Sequence, residues 1–279
     1  MRLTVLWLIA FTVLPSRSRA QAPVFEITPL NSWIKFDLKA SADIAGKSAA
    51  QEAHPPHWAY EGKEGAENWG KLDSSYAACS IGHTQSPIDI KDAKKADLPA
   101  LKFDYHSVPL NIIDNGHTIQ IYYAPGSTLT VGEKIYTLKQ FHFHHPSEEH
   151  VNGKGFRLVA HLVHADADGH LAVVAVLFEL GSANSLVDSL WKNIPSEKEK
   201  SQDIPSVSIQ VHNLLPNDLA YFAYAGSLTT PPCSEGVSWY VLKSPATVSP
   251  QQVAVFAKIY PMNARPIQPT KGREILESK

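Results

Sequence analysis

QFHFHHPSEEH, residues 140–150, places four histidines and two glutamates in eleven residues. Read as a β-strand, FHFH puts His142 and His144 on one face and Phe141 and Phe143 on the other, because successive side chains alternate along a strand. Two imidazoles one strand repeat apart can converge on one ion. A zinc site needs at least one more ligand. The next apolar run, RLVAHLVHA (157–165), offers His161 with Val163 on the same face and His164 on the other. If this run pairs with FHFH, His161 completes a set of three imidazoles. Three neutral ligands leave the metal's charge uncompensated and one position open, and a water bound there is acidified to a pKa near about 7. That is a hydrolytic or hydration catalyst.

The rest of the chain after His57 supports a β-rich domain. Short apolar or alternating runs recur: LNIID (110–114), TIQIYYA (118–124), LTVGEKIYTL (129–138), LAVVAVLFEL (171–180) and VSWYVLK (237–243). Gly, Pro, Asn and Asp clusters separate them. Helix signals are few. SANSLVDSLWKNI (182–194) has apolar residues at helical spacing. SPQQVAVFAKIY (249–260) begins with Ser249 as an N-cap and Pro250 in the first turn. No internal repeat is visible.

The N-terminus differs. Arg2, the apolar run LTVLWLIAFTVL and Ser18-Arg19-Ala20 read as a secretory signal, residues 1–20, cleaved before Gln21. The run is too short to span a bilayer comfortably, and no later segment approaches spanning length. The mature chain is therefore expected to be periplasmic or secreted, with no membrane span after cleavage. Residues 21–56 read as an extension and linker, and EITPLNSWIKFDLKASADIAGK (26–47) resembles the opening strands of the YceI family of lipid-binding β-barrels. That stretch is far short of a barrel and carries no function here. With 25 basic and 27 acidic residues, the net charge of −2 points to neither nucleic acid nor an anionic membrane. Two cysteines, Cys79 and Cys233, in an exported chain read either as a disulfide or as two buried thiols. A bridge between them would close a long loop, worth about 4–5 kcal/mol on the chain-entropy account.

A rival metal motif exists. His142-x-His144-x₃-Glu148, followed by Gly155, fits the first motif of cupins, which do oxygen or isomerase chemistry on a β-barrel. The earlier glycine of that motif is missing, since position 136 is Tyr, and the second cupin motif is absent.

GSLTTPPCSEGVSW (226–239) decides between them. Together with QFHFH, SEEH and AHLVH it resembles the α-class carbonic anhydrases of the bacterial secreted type. The similarity runs from HWAYEG (57–62) through CSIGHTQSPIDI (79–90) and NGHTIQI (115–121) to RPIQP (265–269). The resemblance implies an α+β domain over 57–279, with a large, mostly antiparallel, twisted central sheet and short peripheral helices. It implies reversible hydration of CO2 to bicarbonate and a proton by zinc-bound hydroxide. His142, His144 and His161 match the zinc ligands. Thr229 matches the residue that orients the nucleophile, and Glu149 the acid that fixes Thr229. His117 matches the proton shuttle, with Tyr60, Asn115, Gln120 and Thr230 ordering water between it and zinc. Val163, Val173, Leu228 and Trp239 match the apolar wall of the CO2 pocket, where Thr230 also lies. Gln140 matches a partner of the His142 ring, and Cys79 and Cys233 match the disulfide of secreted members. Sulfonamides and anions are the inhibitors implied. Secreted bacterial members are often dimers, so the resemblance allows a homodimer, though no segment marks an interface.

On this reading Glu148 is a solvated loop charge, His145 a packing or surface residue, and His54 and His57 lie at the domain entrance. The sequence departs from the family at one position. Many members carry Glu two residues before the third ligand, accepting a hydrogen bond from a ligand ring; here the residue is Val159. Losing such an acceptor costs on the order of 10–100-fold in metal affinity or activity. Water or a backbone carbonyl is the replacement expected. A non-catalytic binding protein on the same fold is the other class; those lack one or more ligand histidines, and all three are present here.

Overall fold

A computed structural model describes residues 56–279. The expected signal segment, the extension up to residue 55 with its YceI-like stretch, and His54 lie outside the described residues.

The four α-helices among the described residues are short: α1 (Trp69–Leu72), α2 (Ala78–Ile81), α3 (Ser185–Trp191) and α4 (Pro250–Ile259). The strands, in chain order, begin with β1 (Asp89–Ile90), β2 (Lys94–Ala96), β3 (Leu101–Asp104), β4 (Val108–Asp114) and β5 (Ile119–Tyr122). β6 (Thr128–Val131), β7 (Lys134–His144), β8 (His150–Val151), β9 (Leu158–Ala165) and β10 (Leu171–Leu180) follow. The last five are β11 (Gln202–Ile209), β12 (Tyr221–Ser227), β13 (Glu235–Leu242), β14 (Ala246–Val248) and β15 (Leu276–Ser278).

Thirteen of these form one sheet, with the order β11-β4-β5-β7-β9-β10-β13-β12-β15-β2 along its main path. β6 branches from β7 and carries β3, β14 branches from β10, and β1 pairs with β8 separately. Most pairings are antiparallel. β10 runs parallel to both β13 and β14, and β15 runs parallel to β2. The expected large, mostly antiparallel sheet with few short helices is thus what the chain adopts.

The central strands are buried on both faces. On one face Phe141 and Phe143 of β7, Leu158, Ala160 and Leu162 of β9, and Val174, Val176 and Phe178 of β10 join one core. Helices α3 and α4 cover this side: Trp191 meets Phe143 edge-on at 4.9 Å and stacks on Phe256 at 5.4 Å. Both helices start where side-chain oxygens can serve their free amides. Asn184 Oδ1 accepts from the amides of Leu186 and Val187, and Ser249 and Gln252 form a reciprocal capping box with Pro250 in the first turn. The helix is shorter than the stretch 182–194: its N-cap is Asn184, and Ile194 packs on the core from a non-helical flank. On the other face Val159 of β9, Val173, Ala175 and Leu177 of β10, and Val237, Trp239 and Val241 of β13 form a second core. His142 and His144 of β7 and His161 of β9 open onto this second face, whereas His164 of β9 turns to the first core and meets the Tyr105 hydroxyl there.

Candidate metal centre

Register builds the site in lateral rows. His142 faces His161 across the β7–β9 pair, and the same row carries Gln120 of β5 on one side and Ala175 of β10 on the other. The next row aligns Gln140, Val163, Val173 and Trp239 across β7, β9, β10 and β13. His144, one strand repeat the other way, faces Val159. Three imidazoles and an apolar strip therefore come side by side from β7, β9, β10 and β13 with no loop needed to aim them.

The three rings lie 4.7–5.5 Å apart by centroid, and one nitrogen of each falls within 4.8 Å of the others. The remaining nitrogen of each ring is engaged. His142 Nδ1 meets Gln140 Oε1 at 2.8 Å, and His144 Nδ1 meets the Asn263 carbonyl at 2.7 Å. His161 Nε2 meets Glu149 Oε1 at 3.0 Å and Oε2 at 3.2 Å. Each acceptor is an oxygen, so each of these nitrogens donates. That fixes three tautomers and leaves lone pairs on His142 Nε2, His144 Nε2 and His161 Nδ1. His144 Nε2 is buried with no hydrogen-bond partner among the described residues, a costly arrangement unless a ligand is bound there. Burial, with mutual repulsion among the rings, holds His142 well below the usual histidine range. Burial also takes His144 to about 4 and His161 to about 3. Neutral imidazoles with free, convergent lone pairs fit a borderline-soft cation such as zinc.

The two glutamates divide the surroundings between them, and not as the resemblance implies. Glu149 was expected on Thr229; its carboxylate instead sits on His161. Glu148, expected to be a solvated loop charge, is 1 % exposed. Its Oε1 accepts from the amide of Arg265 at 2.7 Å, and the Thr229 hydroxyl lies close enough to lower its pKa, although Oε2 makes no hydrogen bond of regular geometry. Burial outweighs these contacts and pushes Glu148 up to about 7, and it pushes Glu149 up to about 8; a cation held by the three imidazoles would draw both back to the carboxylate form. Consecutive residues in an extended turn point opposite ways, so one step along the chain decides which carboxylate faces Thr229. Both carboxylates are buried, and composition alone cannot say which faces which partner.

Thr229 and Thr230 lie in the loop between β12 and β13. The Cys233 amide bonds the Thr230 carbonyl at 2.8 Å, and the Cys79–Cys233 disulfide ties the loop to α2. Leu228 packs against the core that holds Val163, Val173 and Trp239, and the Trp239 ring lies edge-on to His161 at 4.9 Å. His117 is half-buried between β4 and β5, stacked on Trp58 at 3.7 Å, with the His57 ring 6.5 Å away. Burial first, and His57 second, lower its pKa. Asn115 Oδ1 accepts from the amides of His117 and Thr118 and so shapes this turn. Tyr60 packs edge-on to Trp58 and Trp69. Burial, with the charge of Glu148, keeps its phenol protonated far above the usual range.

Two residues here escaped the sequence reading. Asn263 is fully buried; its carbonyl holds His144, its Oδ1 accepts from the His145 amide, and its Nδ2 donates to the carbonyls of His117 and Phe143. Arg265 donates to Gln85 Oε1 and to the Ser86 and Cys79 carbonyls while its amide holds Glu148. Both sit in NARPIQP, a non-periodic stretch with no helix or strand signal. A second acidic group, Asp166, Asp168 and His170, is a solvent-facing turn whose members bond one another.

A family model described as eukaryotic-type carbonic anhydrase matches residues 64–279. A carbonic anhydrase from Pectobacterium carotovorum is 43% identical over 221 residues, 79% of this chain and 90% of that protein. The solved structure of a hyperthermostable carbonic anhydrase from a hydrothermal vent chimney superposes with a TM-score of 0.78 at 43% identity, covering 80% of this chain and all of that one. The α-carbonic anhydrase of Thermovibrio ammonificans, solved with the inhibitor sulfanilamide, gives a TM-score of 0.77 at 40% identity over 81% of this chain and all of that one.

Proposed function

The chain belongs to the eukaryotic-type, or α, carbonic anhydrase family of lyases, and on that premise we propose that it hydrates CO2 reversibly with zinc as its cofactor and His117 as the group that exports the proton. The observation that carries this reading is the set of three convergent imidazole nitrogens beside an apolar strip, with His144 Nε2 buried and unpartnered among the described residues. His142 and His144 through Nε2, and His161 through Nδ1, would hold the ion. Bound there, zinc supplies Lewis acidity that makes water a nucleophile at neutral pH.

The chain's own residues do the rest. Val163, Val173, Leu228 and Trp239 give nonpolar CO2 an apolar wall next to the histidines. Thr229, with its hydroxyl beside the buried Glu148, fixes which lone pair of the nucleophile faces that wall. Glu148 is itself fixed by the Arg265 amide. Each hydration leaves a proton. His117, half-buried at the turn, takes it through waters ordered by Tyr60, Asn115, Gln120 and Thr230 and releases it to buffer, which a histidine can do near neutral pH. Gln140 holds the His142 ring.

Residues 57–279 form the catalytic domain in this proposal, exported by the signal at 1–20. The disulfide suits an oxidising compartment, and no helix among the described residues is long and apolar enough to cross a membrane. Sulfanilamide, the inhibitor bound to the Thermovibrio enzyme, is expected to inhibit this one. Stopped-flow CO2 hydration on protein of known zinc content, beside His161→Ala, tests the reading. Fast hydration with one zinc per chain, abolished in the variant, is expected. Full zinc without hydration would make the chain a binding protein, and iron retained without His161 would favour the cupin chemistry.

A further inference from the structure

We propose that Glu149 is the positioning residue of His161, holding the ring and its tautomer for the metal from the connection between β7 and β9. The inference rests on the reading that the three imidazoles bind zinc. Its basis is a contact between two fully buried groups: the side chains of His161 and Glu149 are 2% and 0% exposed, and both carboxylate oxygens lie within 3.2 Å of Nε2. No other side chain among the described residues hydrogen-bonds this carboxylate. A buried carboxylate whose side-chain partner is a single imidazole costs desolvation and returns it only through that ring.

The backbone that carries Glu149 is pinned on both sides. Ser147 Oγ donates to the Glu149 carbonyl at 2.9 Å and accepts from the Phe156 amide at 2.7 Å. The Ser147 amide bonds the Phe156 carbonyl at 3.1 Å, and the His150 amide bonds the Ile88 carbonyl at 3.3 Å where β8 meets β1. Glu149 is therefore aimed before any metal arrives. It also prevents the wrong tautomer: with Nε2–H committed to a carboxylate, Nδ1 must offer its lone pair. The orienting charge thus comes from a loop, whereas the strand position on the same face, Val159, is apolar and fully buried. Residue 159 lies roughly 7 Å along β9 from His161, within reach of a glutamate side chain. The two positions are alternatives for one carboxylate.

That alternation makes the inference testable by moving the carboxylate. Zinc affinity is measured by chelator competition on the full chain for wild type, Glu149→Gln, Glu149→Ala, Val159→Glu and the double variant E149A/V159E, with thermal unfolding of each metal-free protein. Glu149→Gln keeps the shape and removes the charge; it is expected to weaken zinc binding by about 10–100-fold while melting like the wild type. Val159→Glu alone is expected to melt lower, since two carboxylates then share one buried site. The double variant is expected to recover affinity lost in Glu149→Ala, an interaction that a merely structural role for Glu149 would not produce. Wild-type affinity in Glu149→Gln, or a double variant that binds no better than Glu149→Ala, overturns the inference; should Glu149→Ala not fold, Glu149→Gln decides alone. His161→Ala separates the two levels: if it binds zinc as wild type does, the metal reading fails and this inference with it.

Discussion

Removing the Cys79–Cys233 bridge by a double alanine substitution is expected to cost about 5 kcal/mol. The bridge joins positions 154 residues apart. On the chain-entropy account, closing a loop of that length takes about 17 cal/mol/K from the unfolded ensemble, which is about 5 kcal/mol near room temperature. Domains are typically stable by about 5–15 kcal/mol, so the loss is a large share of the total. With a urea slope of about 2–3 kcal/mol/M, the midpoint falls by about 2 M, and the slope rises somewhat because the unbridged unfolded chain is less compact and exposes more surface. The bridge also has a local duty. Cys233 closes the loop that carries Thr229 and Thr230, its carbonyl accepts from Gln85 Nε2 at 3.0 Å, and the Cys79 carbonyl accepts from Arg265 Nη2 at 3.0 Å. Hydration activity is therefore expected to fail at lower urea in the variant, together with the loss of fluorescence that reports unfolding. The assay is urea unfolding of both proteins, followed in parallel by tryptophan fluorescence and by activity. A midpoint shift under about 0.5 M would refute the reasoning that the bridge acts mainly by restricting the unfolded chain.

Other consequences follow from the same geometry. His117→Ala is expected to lower turnover about 100-fold in weak buffer, with recovery on adding imidazole and no change in zinc content; stopped-flow assays across buffer concentrations check it. Val173→Trp fills the apolar strip beside His161 and is expected to lower kcat/KM for CO2 by about 100-fold or more, again with zinc retained, as steady-state kinetics would show. His164 is buried with Nδ1 donating to the Ala172 carbonyl and Nε2 accepting from the Tyr105 hydroxyl at 2.7 Å, and burial takes it to about 4. Since the unfolded chain takes up this proton near pH 6.5 and the folded chain only near 4, its stabilisation is present above 6.5 and is lost as pH falls toward 4. Over that window the wild type should lose about 3 kcal/mol relative to His164→Asn, measured by urea unfolding at successive pH values.

The strand assignment of FHFH and AHLVH was legible because period-two alternation with aromatic residues on the far side fits only a strand with both faces buried. The neighbours Val163, Val173 and Trp239 required pairing partners that no local pattern specifies. They became adjacent through register across β9, β10 and β13, of which the β10–β13 contact is parallel and joins strands far apart in sequence. The adjacent carboxylates show where local reading stops: Glu148 and Glu149 are chemically identical, and only the pinned backbone of 147–151 decides that one meets Arg265 and Thr229 and the other meets His161. Asn263 and Arg265 acquire their duties from contacts with residues more than a hundred positions away, so their stretch reads as plain loop.

The central claim is that His142, His144 and His161 hold one zinc through the nitrogens left free by their hydrogen bonds. Anomalous diffraction at the zinc edge on crystals of the purified chain tests it most directly. The account predicts a single strong peak bonded to His142 Nε2, His144 Nε2 and His161 Nδ1, with Glu149 on the far side of the His161 ring. A peak bonded to Glu148, or one bonded to His161 through Nε2, would contradict it.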